Sequence, residues 1–347
     1  MGRWAVTNRC WACIFLTRSV FFSTILRYSN RVGSSAGEAL GANGLPELKT
    51  GIVLQARSGR HRVQDGDESV TCFVRGKLKR ERLYTDLIAT GDSVRWRPTR
   101  PGRGVIEEVL PRETQLSRLR PGPGQFPFEH VIVANPDQAV FIFAVREPRP
   151  RMRMLDRLLV IAENNDLPVI ICANKVDLLE DEAEARDLFG LYEDIGYPVL
   201  YTSAKSGQSI GALKERLRGQ LSVLSGPSGV GKSSLLNAIQ PELGLAVREI
   251  SEITGKGRHT TVGVRLWPLD EGGYVADTPG LREAGFFDIE PEELAWHFVE
   301  MRPYLSDCHF SSCTHTHEPD CAVKEAVQVG AIREVRYESY CRLLAGE

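Results

Sequence analysis

Three short segments carry residue types that can hold and cut a nucleotide, and they stand in a permuted order. Asn174-Lys175-Val176-Asp177 comes first, Gly226-Pro227-Ser228-Gly229-Val230-Gly231-Lys232-Ser233-Ser234 second, and Asp277-Thr278-Pro279-Gly280 last. The second is a complete phosphate-binding loop signature. Its glycines let backbone N–H groups turn inward around phosphates. A helix starting near Lys232 would aim the positive end of its dipole at the same anions. Lys232 would place a point charge on the β- and γ-phosphates, and Ser233 would give its hydroxyl to Mg²⁺. Pro227 suits a turn through its fixed φ but removes one N–H donor.

A phosphate loop leaves the base unspecified. Asn174-Lys175-Val176-Asp177, at the end of an apolar run, can specify it. The Asp177 carboxylate can accept two hydrogen bonds from guanine N1–H and N2–H₂, a donor pair that adenine lacks. Asn174 can bond the base edge and brace the phosphate loop, and the Lys175 stem can cover the ring. Thr202-Ser203-Ala204-Lys205 follows the next apolar run and reads as the companion base-binding loop. Asp277 would hold Mg²⁺ through water, and the Gly280 N–H would sense a γ-phosphate.

Between the second and third segments lies Gly255-Lys256-Gly257-Arg258-His259-Thr260-Thr261. This Gly-rich basic stretch suits a switch loop that orders on a γ-phosphate. Thr260 or Thr261 would complete the Mg²⁺ shell, with Thr261 preferred. Leu281 stands where many nucleotide hydrolases of this kind carry a water-orienting glutamine, and a leucine cannot polarise water. Hydrolysis is therefore expected to be slow unless another group or a partner supplies that function. His259 is the nearest catalytic candidate; the alternative is an exposed, inert imidazole.

Cys308-x4-Cys313-x-His315-x5-Cys321 is a compact Cys₃His set. Thiolates and imidazole are the ligands of a structural tetrahedral Zn²⁺, and four protein ligands leave no open position for catalysis. His309 and His317 are spare imidazoles. Cys10 and Cys13 form a C-x-x-C of little weight, and Cys72, Cys172 and Cys341 read as packed thiols. Eight cysteines in 347 residues are no secreted disulfide framework.

These groups need elements to position them. Segments 51–55, 60–63, 69–74, 93–97 and 105–109 read as strands punctuated by turn signals. Five short strands in one stretch suit a small OB-fold barrel. Arg57, Arg60, Arg62, Arg75, Lys77, Lys79, Arg80, Arg82, Arg95 and Arg97 lie on and between them, which suits a nucleic-acid groove; a structural barrel is the alternative. The stretch 121–127, rich in Pro and Gly, reads as a linker. Apolar strands at 139–145, 169–173, 199–201, 221–224, 264–269 and 274–276 follow, with helices at 154–164, 182–195, 210–220 and 232–239. That alternation predicts a mostly parallel sheet covered on both faces. Helices are expected at 291–305, 322–329 and 331–344.

The composition, 42% hydrophobic and 25% charged, is that of a soluble globular protein. Net charge is −2, yet residues 51–120 carry fifteen basic and nine acidic side chains. A basic block on an acidic remainder suits a polyanion partner; a solvated sheet face is the alternative. Residues 1–48 hold five arginines and no acid before Glu38. Arg18 splits the apolar stretches, so neither can span a bilayer. The segment resembles an organelle transit peptide, a disordered extension or an upstream start.

Taken together, the 174–177, 202–205, 226–234, 257–261 and 277–281 motifs, with the Cys₃His set behind them, resemble the circularly permuted ribosome-associated GTPase family RsgA (YjeQ). The resemblance covers roughly residues 49–345, and departs in the N-terminal extension and Pro227. It implies a multidomain chain: an extension (1–48), an all-β OB-fold barrel that binds RNA (49–118), a circularly permuted α/β P-loop GTPase domain (119–284) and a small helical zinc-knuckle domain (285–347). It further implies a GTPase that binds the small (30S) ribosomal subunit and 16S ribosomal RNA and assists late maturation. Slow hydrolysis would be stimulated by the subunit, with Mg²⁺ accompanying GTP and one structural Zn²⁺. A hydrophobic residue after the DTPG motif is usual in that family, as Leu281 is here. A cytoplasmic monomer without membrane contact is expected, further assembly factors could join it, and an organelle is the alternative location. Two rival functions remain at this stage. A guanylate kinase would share the 226–234 loop but needs neither the other motifs nor a zinc site. A nucleotide-gated RNA-binding scaffold would bind GTP with negligible turnover.

Overall fold

The computed structural model describes residues 47–57, 59–75, 85–121, 127–243, 264–278 and 289–346. The first five strands are β1 (Lys49–Arg57), β2 (Arg60–Asp65), β3 (Glu68–Val74), β4 (Ser93–Arg100) and β5 (Arg103–Val109). They pair in the order β1-β2-β3-β5-β4, and β4 returns to β1, which closes an OB-like barrel. Val53, Val63, Cys72, Trp96 and Ile106 fill its interior. A register shift between Val53 and Gln55 changes which residues of β1 face inward. Before the shift Val53 pairs with Val63. After it Ala56 pairs with the buried His61, and Gln55 pairs with the exposed Arg62.

The stretch 121–127 is no interdomain linker. It joins β6 (Gln115–Pro121) to β7 (Pro127–Ala134), an antiparallel pair in which Pro121 stands opposite Pro127. The Pro/Gly run hides these strands, although Leu116, Val131 and Val133 are buried. A division at residue 118 would fall inside β6.

The second layer system alternates strands and helices: β8 (Gln138–Ala144), α1 (Met152–Asn164), β9 (Val169–Asn174), α2 (Glu182–Asp194), β10 (Val199–Thr202), α3 (Ile210–Leu217), β11 (Leu221–Ser225), α4 (Lys232–Ile239), β12 (Arg265–Pro268) and β13 (Tyr274–Asp277). The strand order is β10-β9-β8-β11-β13-β12. All but β12 run parallel. Every residue of β8, β9 and β11 is buried because both faces are covered. Phe141 and Phe143 join Leu155 and Leu159 of α1 in one core, and Val140 and Ile142 join Leu213, Leu235 and Leu236 in the other. The barrel and this sheet are continuous, since Gln55 of β1 pairs with Arg265 of β12. Thr90 Oγ1 reinforces the seam by donating to the Val264 carbonyl at 2.9 Å.

The single helix expected over 291–305 does not form. A 3₁₀ turn at Leu294–His297 gives way to extended backbone at Phe298 (φ −96°, ψ 98°), and α5 (Arg302–Leu305) follows. Leu294, Ala295, His297, Phe298 and Met301 are all buried, so the segment is wrapped on more sides than an amphipathic helix can satisfy. Pro303 sits in the first turn of α5, where its missing N–H costs nothing, and could not lie within a longer helix. The last helices are α6 (Ala322–Gln328) and α7 (Glu334–Leu344). α7 starts three residues later than expected, after Gly330 at φ 77° and the buried Ile332.

Candidate functional site

β11 lies between β8 and β13, so the 226–234 loop leaves the middle of the sheet. Gly226 takes φ 153°, and a Cβ there would sit 2.0 Å from the Ile142 carbonyl of β8. Gly231 takes φ 95°, and a Cβ there would sit 2.5 Å from Asn174 Nδ2. Only glycine fits either position. Lys232 opens α4 and is 6% exposed, with Nζ donating to the Gly226 and Pro227 carbonyls at 2.9 Å each. The ammonium is thus held at the mouth of the loop. Ser233 is buried beside it, Val230 is buried, and Ser228 and Gly229 are exposed.

Asn174 ends β9 and joins the two motifs. Its Nδ2 donates to the Val230 carbonyl at 2.7 Å, and its Oδ1 accepts from Thr202 Oγ1 at 3.1 Å. Lys175 follows in the left-handed region at φ 66°, and its Nζ donates to the Glu147 carbonyl. Val176 is buried at the start of a 3₁₀ turn that presents Asp177. Asp177 Oδ1 accepts from Ser203 Oγ at 2.5 Å, and Lys205 Nζ stands 4.0 Å from Oδ2. Ser203 Oγ in turn accepts from the Lys205 and Ser206 amides, which shapes the turn around Ala204. One Asp177 oxygen is therefore engaged by Ser203, while the other faces the exposed Lys205 ammonium.

Asp277 ends β13 with Leu224 of β11 as its register partner, so it stands beside the strand that feeds the phosphate loop. Thr278 Oγ1 donates to the Leu224 carbonyl at 3.1 Å. Ser233 and Asp277 present hard oxygen donors of the kind Mg²⁺ takes. His259, Thr260, Thr261, Gly280 and Leu281 lie outside the described residues, as do Cys10, Cys13, Lys77, Lys79, Arg80 and Arg82.

The Cys₃His residues come together. Cys308, Cys313, His315 and Cys321 place one ligand atom each within 4.8 Å of one another. His315 Nδ1 lies 3.5 Å from Cys308 Sγ and 3.4 Å from Cys321 Sγ, and the two sulfurs are 3.9 Å apart. A tetrahedron with ordinary Zn–S and Zn–N bonds has edges of about 3.8 Å between sulfurs and about 3.6 Å between sulfur and nitrogen. The donor set and its spacing therefore fit a four-coordinate metal, with Nδ1 as the imidazole ligand. The loop is preset for it. His315 takes φ 59°, its carbonyl accepts from Tyr337 Oη at 2.6 Å, and the Thr314 carbonyl accepts from Tyr340 Oη at 2.7 Å. Glu318 accepts from the Thr314 and Thr316 amides and from Thr314 Oγ1. Burial pushes its carboxyl up, but these hydrogen bonds outweigh it and hold it well below the usual range. Burial likewise pushes the thiols of Cys72 and Cys172 up to about 12, as befits packed, inert cysteines.

Sequence reasoning missed the groups that tie α7 to α1 and to the segment around Phe298. Arg336 is 1% exposed, donates to Asp156 of α1 and to Glu300 (2.6 Å), and lies 4.6 Å over the Phe298 ring. Tyr192 of α2 donates to the same Asp156 at 2.8 Å. No local pattern links residues so far apart in the chain. Glu147, whose carbonyl accepts from Lys175, is also missed, and Thr202, read as part of the 202–205 base-binding loop, holds Asn174 instead.

A family model for RsgA GTPases matches residues 109–287. The chain belongs to the RsgA GTPase family. Among its relatives, the small ribosomal subunit biogenesis GTPase RsgA of Gemmatimonas aurantiaca is 45% identical over 297 residues, which covers 85% of this chain and 96% of that protein. The protein of the same name from Thermotoga petrophila is 42% identical over 299 residues, covering 85% and 95%. Among solved structures, YjeQ from Thermotoga maritima superposes with a TM-score of 0.69 at 39% identity, covering 86% of this chain and 98% of that one. YloQ, a circularly permuted GTPase, gives a TM-score of 0.67 at 32% identity, covering 90% and 97%. The description of YloQ as a circularly permuted GTPase agrees with the permuted order of the nucleotide motifs in this RsgA family chain.

Proposed function

We propose that this chain is a GTP hydrolase of small ribosomal subunit biogenesis, and that it binds the subunit through 16S ribosomal RNA. The observation that carries the nucleotide half is the bond from Asn174 to Val230, which brings the base motif and the phosphate loop into one site despite their permuted order. The names of the relatives carry the ribosomal half. Residues 226–234, 174–177 and 203–205 would hold GTP, with Asp177 reading guanine. Ser233, Asp277 and Thr261 would hold Mg²⁺, which supplies charge neutralisation between the β- and γ-phosphates when bound. Cys308, Cys313, His315 and Cys321 would hold one structural Zn²⁺ that fixes the loop between α5 and α6.

The division of labour follows the expected domains, with the first boundary moved ahead of the β6–β7 pair: a barrel for RNA built from β1–β5, a GTPase domain after it and a zinc-bearing domain over 285–347. GTP orders the 251–263 segment and the DTPG loop, and the barrel and zinc-bearing domain grip the subunit. Subunit contacts then complete a water-activating geometry that Leu281 cannot provide, with His259 as the candidate within the chain. Hydrolysis releases the protein. The protein acts as a cytoplasmic monomer; among the described residues no helix is long and apolar enough to cross a membrane. Leu281 also favours a second reading, a GTP-gated RNA-binding scaffold with negligible turnover. Subunit affinity measured with GDP and with a non-hydrolysable GTP analogue tests the switch. Tighter binding with the analogue supports it, and equal affinity rejects it.

A further inference from the structure

The basic outer face of the barrel continues onto the GTPase sheet. Arg265 of β12 is the register partner of Gln55 in β1, Gln55 of Arg62, Arg62 of Thr71, Thr71 of Arg103, and Arg103 of Arg100. Register partners project from the same face of a sheet. One row thus crosses six strands as Arg, Gln, Arg, Thr, Arg, Arg, and its next member beyond Arg265 is Asp277 of β13. Arg57 and its partner Arg60 lie two residues further along their strands and add to the same face. The face is the outer one, because the intervening Ala56, His61 and Cys72 pack into the barrel.

All six arginines are exposed, and none forms an ion pair among the described residues. Arg62 donates to Ser69 Oγ at 2.6 Å, and Arg265 lies 3.8 Å over the Trp267 ring. Burial, then the like charges of Arg62 and Arg57, pull Arg265 below its ordinary range. A polyanion would relieve that repulsion. Phe73, two residues from Thr71 and 36% exposed, and Trp267 add aromatic surface to the face.

We propose that this row is one continuous RNA-binding face that spans the seam, with Arg265 of the GTPase sheet taking the phosphodiester backbone alongside Arg62, Arg103 and Arg100 of the barrel. The proposal rests on the RNA-binding reading above and deepens it. RNA fits better than an acidic peptide for a physical reason. The first three cations fall on alternate strands, about 10 Å apart, with the hydrogen-bonding side chains of Gln55 and Thr71 between them. Phosphates can meet the arginines while hydroxyls and base edges meet the polar side chains and bases stack on the aromatics. An acidic peptide would find little apolar surface to bury. The seam also matters for function, because the other register partner of Arg265 is Asp277 at the nucleotide site.

The test uses the full chain and a short fluorescent mixed-sequence single-stranded RNA, with anisotropy read over a series of salt concentrations. Arg265→Gln and Arg62→Gln are each expected to weaken binding about fivefold at physiological salt. Each should also lower the slope of log K against log salt by about 0.7 to 0.9. Arg265→Lys keeps the charge and is expected to bind within about twofold of the parent. Ultraviolet crosslinking on the unaltered protein should place RNA on the peptide around residue 265, which keeps the test independent of variant folding. Loss with Arg62→Gln but none with Arg265→Gln, and no crosslink near residue 265, overturns the seam while leaving barrel binding intact. Displacement of the RNA by polyglutamate at equal charge overturns RNA as the ligand class. Failure of the parent protein to bind either RNA or small subunits defeats the underlying reading instead.

Discussion

Asn174 Nδ2 donates to the Val230 carbonyl at 2.7 Å, so a residue of the base loop holds the phosphate loop in place. Its Oδ1 is engaged as well, by Thr202 Oγ1. Asn174→Ala leaves a buried carbonyl without its donor, a loss of about 1–3 kcal/mol. GTP affinity is expected to fall about tenfold or more in a fluorescent-nucleotide titration. Unchanged affinity would mean that the brace is ornamental to binding.

Asp177 gives the clearest handle on base choice. Asp177→Asn keeps an oxygen for Ser203 but presents an amide donor to guanine N2–H₂ in place of an acceptor. GTP affinity is expected to drop on the order of 100-fold. Xanthosine triphosphate, whose C2 carbonyl accepts a hydrogen bond, should bind the variant better than GTP does. Competition between the two nucleotides reads this directly; retained preference for GTP would remove Asp177 from the base contact.

The Cys308, Cys313, His315 and Cys321 cluster predicts one zinc per chain in protein purified without chelator. Cys313→Ser should lose the metal and, with chelator treatment of the parent, destabilise the C-terminal region by an amount on the order of 5 kcal/mol. Metal analysis with denaturant unfolding checks both. A metal-free, equally stable protein would leave the cluster as packed thiols.

His297 predicts a pH dependence. It is 8% exposed, and neither ring nitrogen has a hydrogen-bond partner among the described residues. Burial and then the Arg302 charge lower its pKa, against weaker raising effects of Glu293, Glu163 and Asp166. The folded state therefore keeps it neutral while the unfolded chain protonates it near pH 6.5. Stability from this residue is intact above pH 6.5 and falls as pH drops from there toward the lowered folded value, by up to about 1.4 kcal/mol per unit. His61 adds the same sign, its burial outweighing Asp92. His297→Leu should be neutral or stabilising by about 1 kcal/mol at pH 7 and should flatten the slope below pH 6.5. Denaturant midpoints over that range give the answer; an unaltered slope would place the dependence elsewhere.

Much of this architecture is legible in the sequence because its signals are local. Apolar runs fully buried in β8, β9 and β11 announce a covered parallel sheet, and turn residues mark the five barrel strands. The Cys308–Cys321 ligands lie close enough in sequence for spacing alone to suggest their meeting. Non-local features escaped. The β6–β7 pair hides behind a Pro/Gly run, and the helical pattern over 291–305 is overridden at Phe298, where the segment is buried on several sides. Arg336 with Asp156 and Glu300, and the seam row from Arg265 to Arg100, exist only once strand and helix order are known.

GTP hydrolysis measured with and without purified small ribosomal subunits, with ATP and Lys232→Ala as controls, tests the central claim most directly. The account predicts slow turnover alone and strong stimulation by the subunit, specific to GTP and lost in the variant. GTP bound but never hydrolysed faster on the subunit would contradict it and favour the scaffold.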